Sequence, residues 1–111
     1  MPKVTYTAAK GLVQATGAGF NINSILTTSG TVSLDATTFL TVGTGVCAFT
    51  LPATADTGAI KIIMHDTDDT DNVVIAAANQ STGGTITLNA DGEFAICIYD
   101  GSQWIVGRSL T

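Results

Sequence analysis

From Ile25 onward, apolar and polar residues alternate in short runs separated by Gly, Asp and Asn. A period of two broken by turn residues predicts half-buried strands joined by tight connections. Residues 31–35 place Val32 and Leu34 on one face, and residues 37–42 form a second run ended by Gly43-Thr44-Gly45. Residues 46–51 put Cys47, Phe49 and Leu51 together before Pro52 stops the run. Residues 59–64 point Ile60, Ile62 and Met64 inward and Lys61 outward, and residues 72–77 bury Val73 and Ile75. Gly83-Gly84 leads into residues 85–88. Residues 93–99 then place Phe94, Ile96 and Ile98 on the core face. Asp100-Gly101-Ser102 turns the chain into residues 103–106, an antiparallel hairpin signalled by an Asp-Gly pair in which Gly accepts the positive φ.

About eight such runs predict an all-β domain over residues 25–111, as one antiparallel β-sandwich or jelly roll, with a trimeric β-prism as the alternative. Residues 1–24 carry Gly11, Gly17 and Gly19 around short apolar pieces, which suits an extended arm laid on a neighbouring surface. Its candidate contacts are Val4, Tyr6, Leu12, Val13, Phe20 and Ile22. Candidate anchors of the core or of an interface are Phe49, Leu51, Phe94, Ile96, Ile98 and Trp104.

Composition sharpens this picture. Of 111 residues, 45% are hydrophobic and 12% charged, about half the usual share of roughly 25%. Polarity comes mainly from 19 threonines, which favour strands. So many apolar residues with so thin an ionic coat imply surface covered by other subunits. The net charge is −5, and the basic residues Lys3, Lys10, Lys61 and Arg108 are scattered, which argues against nucleic-acid binding. No run approaches the ~18 apolar residues of a membrane helix. Residues 1–7 lack the apolar stretch of a signal peptide, so synthesis in a cytoplasm is expected.

Chemistry-bearing motifs are sparse. The acidic run at residues 66–72 has carboxylates spaced for a hard cation, but it lacks the glycine and terminal glutamate of an EF-hand loop, so a solvated loop is expected. His65 is the sole histidine, which leaves no histidine cluster for a metal and no second base for a hydrolase. Cys47 and Cys97 match no zinc or redox spacing and are expected as buried, reduced thiols. Trp104 is expected as a core or interface anchor, with a sugar-stacking platform shared with Tyr99 as a rival. No catalytic residue, cofactor or metal site is expected, and the chain reads as a non-enzymatic structural protein.

The succession Phe49-Thr50-Leu51-Pro52, Gly58-Ala59-Ile60-Lys61-Ile62-Ile63, Val73-Val74-Ile75-Ala76 and Thr85-Ile86-Thr87-Leu88, followed by the strands and Asp100-Gly101 turn leading to Trp104, resembles a β module recurrent in tailed-bacteriophage virion proteins. The resemblance covers residues 31–107, about two-thirds of the chain. It implies a homotrimeric virion component, and the small size of the chain selects a head decoration (cement) protein bound to the major capsid protein on the capsid surface. The alternatives are a tail fibre or collar subunit and a surface carbohydrate-binding module.

Overall fold

A computed structural model describes residues 24–66 and 70–109. The arm residues Val4, Tyr6, Leu12, Val13, Phe20 and Ile22 lie outside the described residues, as does the centre of the acidic run. The described chain is all-β, with seven strands: β1 (Ile25–Ser33), β2 (Leu40–Thr50), β3 (Ile60–His65), β4 (Val73–Ile75), β5 (Ile86–Leu88), β6 (Phe94–Tyr99) and β7 (Trp104–Arg108).

These strands form one curled sheet in the order β5-β4-β2-β3-β6-β7, with β1 along the other edge of β2. The sheet is mixed, which corrects the expectation of a purely antiparallel sandwich. β1, β3 and β4 all run parallel to β2, whereas the β3–β6, β4–β5 and β6–β7 pairs are antiparallel. β2 holds the sheet together because β3 and β4 share one of its edges. Leu40 to Gly43 pair with Ile62 to His65, and Cys47 to Phe49 pair with Val73 to Ile75. The sheet thus forks at the middle of β2. Its two arms curl towards each other until Gln80, in the β4–β5 connection, bridges Trp104 at the start of β7. Backbone bonds from Trp104 N to the Asn79 carbonyl and from Ser81 N to the Trp104 carbonyl, both 2.8 Å, fasten this closure.

Gly43-Thr44-Gly45 does not end a strand, contrary to the sequence expectation; β2 runs through it. Neither glycine needs a positive φ. The pairing with β1 shifts register here, between Thr28 and Gly30, so the run is an irregularity inside a long strand. Gly43 lies against β4: a Cβ on it would come within 2.5 Å of Val73 Cγ2.

The core fills the inside of the curl with Leu34, Phe49, Leu51, Ile63, Val73, Ile75, Ile86, Leu88 and Trp104. Trp104 is fully buried, its indole N–H donates to the Pro52 carbonyl at 2.9 Å, and Tyr99 meets it edge-on at 5.3 Å between ring centroids. Phe49, Leu51 and Trp104 are therefore core anchors, as the sequence indicates, Val73 and Ile75 also face as expected, and Ile86 and Leu88 are buried beside them.

In β3 and β6 the facing is the reverse of that expected. Lys61, Ile63 and His65 point into the core, and Ile60, Ile62 and Met64 point out. Ala95, Cys97 and Tyr99 are buried, whereas Phe94, Ile96 and Ile98 are 38%, 40% and 44% exposed. The physical reason lies in the β6–β7 hairpin. Tyr99 is the partner of Trp104, so burying the indole turns Tyr99 and every second residue before it inward.

Candidate interaction surface

Register places the outward side chains of five strands side by side on one face. Ile25, Leu40, Ile62 and Ile96 form one row across β1, β2, β3 and β6. Thr27, Val42, Met64 and Phe94 form the next, and Ile60, Ile98 and Ile105 a third. Every position in these rows except Thr27 is apolar, and none is charged. Five of the seven large hydrophobic residues exposed in the described structure lie among Ile60, Phe94, Ile96, Ile98 and Ile105; Ile25 extends the face, at 57% exposed.

The inward set of the same strands mixes bulky, small and polar residues. It holds Lys61, Ile63 and His65 from β3, Ala95, Cys97 and Tyr99 from β6, Thr41, Cys47 and Phe49 from β2, and Trp104 from β7. Lys61 is 1% exposed, and its ammonium donates to the Thr38 carbonyl. Burial pushes the Lys61 ammonium below its ordinary value, partly offset by the Asp35 carboxylate and by Cys97. Burial likewise pushes the Cys97 thiol up to about 12, opposed by Lys61. Cys47 and Cys97 are both free and buried, as expected of inert thiols. Strands with apolar residues on both faces belong to sheets covered on both sides, the usual condition of parallel pairing. Here one side is covered by the protein's own core, and among the described residues the other is open.

The remaining candidates are structural in their contacts. His65 is buried, with Nε2 2.7 Å from the Asp71 carbonyl, so Nε2–H donates and ties β3 to the end of the acidic loop. Nδ1 is also buried and finds no partner among the described residues, so the ring presents no basic nitrogen to solvent. Glu93, 4% exposed, accepts from the Ala90 backbone N–H at 3.0 Å and meets Arg108 at 3.4 Å, which joins the turn before β6 to the end of β7. No group of three or more His, Cys, Asp or Glu able to hold a metal occurs among the described residues. Trp104 and Tyr99 are 0% and 5% exposed, so neither ring offers a face for sugar stacking.

Sequence reasoning named Phe94, Ile96 and Ile98 as anchors and the structure brings them together, but on the outer face. It missed Ile25, Leu40, Val42 and Ile105 as members of that face, and Lys61 as a core residue. The available signal was the parity of Trp104: the hairpin fixes Tyr99 opposite it, and that assignment propagates through β6 into β3. No protein-family model matches the chain, and no curated protein matches it.

Proposed function

We propose that this chain is a structural subunit that decorates and stabilises a bacteriophage head as a homotrimer bound to the major capsid protein. The observation that carries this reading is the uncharged apolar face across β1, β2, β3, β6 and β7, because a contiguous patch of this kind marks a surface that meets protein. The buried contacts of His65, Glu93, Cys97 and Trp104 suit a scaffold, and the family resemblance of residues 31–107 supplies the virion setting. Decoration needs no chemistry. A subunit that binds the assembled shell more tightly than the loosened one stabilises it by the difference in binding free energy, repeated at each site on the particle.

The deciding experiment is quantitative mass spectrometry of virions that carry this chain, with and without removal of the tails. Decoration predicts copies comparable in number to the major capsid protein, retained on tailless heads and lost in parallel with resistance of the heads to heat. A handful of copies per particle, leaving with the tails, makes the chain a fibre or collar subunit instead. The carbohydrate-binding alternative is disfavoured by the burial of Trp104 and Tyr99.

A further inference from the structure

We infer that the open face of β3, β6 and β7 is the contact between copies of this same chain, three faces meeting around one axis, and not the surface that grips the capsid. This assignment rests on the trimeric reading above and adds to it which surface is spent on self-association.

Three observations select a copy of the chain as the occupant. The first is charge. Each chain carries a net −5, so copies repel wherever their carboxylates approach, and this face presents none: its outward positions on β3, β6 and β7 are Ile60, Ile62, Met64, Phe94, Ile96, Ile98, Ile105 and Gly107. It is where two equally acidic molecules can meet without opposing like charges. The second is chemistry. The face is aliphatic, with one aromatic ring and no side-chain hydrogen-bonding group, so it is complementary to an identical aliphatic face and offers a polar partner nothing to bind. The third is the distribution of bulk within β3 and β6. Of the large aliphatic residues on these two strands, Ile60, Ile62, Ile96 and Ile98 point away from the chain's own core and Ile63 points into it beside Lys61, Ala95, Cys97 and Tyr99. This is the pattern of strands with a large hydrophobic contact across an obligate interface.

Native mass spectrometry and hydroxyl-radical footprinting of the purified full-length chain, without heads, test this assignment. The expected species has three times the 11.3 kDa chain mass, and Met64 and Phe94 are protected from oxidation in it. Ile96→Glu, which places a carboxylate at the centre of the face, shifts the population to the single-chain mass, while Thr85→Glu, at an exposed position before β5, leaves the trimer intact. Footprinting of the unmodified chain keeps the test decisive if Ile96→Glu does not fold. A trimer whose Met64 and Phe94 oxidise as readily as in denatured chain overturns the assignment, as does a folded Ile96→Glu variant that remains trimeric. A wild-type species of single-chain mass with Met64 protected also overturns it, and points to residues 1–23 as the cover. Failure of the decoration reading is distinguishable, because it appears as trimers of the expected behaviour that do not bind heads.

Discussion

At Gly43 the backbone of β2 passes so close to β4 that an added Cβ would sit 2.5 Å from Val73 Cγ2. Val73 is fully buried and cannot withdraw. Gly43→Ala is therefore expected to cost about 1–3 kcal/mol through overpacking. Gly45→Ala, whose Cβ would meet only Ser29 Cβ at 3.4 Å, is expected to fall within about 0.5 kcal/mol of the parent. Urea denaturation followed by circular dichroism of the two variants checks the contrast, and equal losses would contradict the close approach. Trp104 is the second sensitive residue. Trp104→Phe leaves the half-buried Pro52 carbonyl without its indole donor and part of a fully buried site unfilled, an expected loss of about 1–3 kcal/mol in the same assay. Cys97 sets an alkaline limit. Its thiol rises from 9.0 to about 12 in the folded chain, so between those values the unfolded chain releases a proton that the folded chain retains. Stability from this group is fully present below pH 9 and declines as pH rises towards 12. Lys61 acts in the opposite direction: its lowered value makes stability rise with pH below its ordinary 10.5. Removing the thiol by Cys97→Ala is expected to reduce the alkaline decline measured by denaturation across pH 9–12, and an unchanged pH profile would refute a buried neutral thiol.

The strands and turns were largely legible in the sequence because they depend on local signals. Gly92 and Gly101 adopt φ of +86° and +106° at the turns where Asp-Gly pairs announce them, and Asp100 Oδ1 accepts from the Ser102 and Gln103 backbone N–H groups at 2.8 and 2.9 Å. Gly101→Ala combines that positive φ with a Cβ 3.1 Å from Thr57 Oγ1, and is expected to cost about 1–2 kcal/mol in thermal unfolding; a neutral result would mean that the turn has relaxed to another type. Two features were not legible locally. The parallel pairings of β1, β3 and β4 with β2 join segments by contacts that no turn dictates. The facing of β3 and β6 was misread because alternation reveals which residues share a face but not which face is inside the chain. Ile60, Ile62 and Met64 are the more apolar set and attract the core assignment, yet Trp104 has the stronger claim on the interior. Taking Trp104 as buried and Phe94, Ile96 and Ile98 as inward is inconsistent once Tyr99 pairs with Trp104.

At the scale of the molecule, that misreading becomes informative. Apolar patterning indicates which surfaces avoid water in the working state, and in an obligate oligomer the working state includes the neighbours. In the proposed trimer, Ile96 and its neighbours on β3, β6 and β7 are buried by other copies rather than by their own chain. Association of this kind makes stability depend on concentration. Three folded chains released as three unfolded ones give a mass-action term in which each tenfold dilution costs about 2.7 kcal/mol per trimer, or about 0.9 kcal/mol per chain. For a domain of this size, about 1 kcal/mol corresponds to a shift of roughly 4–8 °C in Tm. The apparent Tm of the unmodified chain is thus expected to climb by several degrees for each tenfold rise in protein concentration, measured by scanning calorimetry with reversibility verified. Ile96→Glu, left as a single chain, is expected to melt at one temperature throughout and below the parent at every concentration. The slope separates self-association from burial of the face by the chain's own residues, since an intramolecular cover melts at a temperature independent of dilution. A flat profile for the parent would show that copies do not associate through the apolar face and remove the physical basis for a trimer.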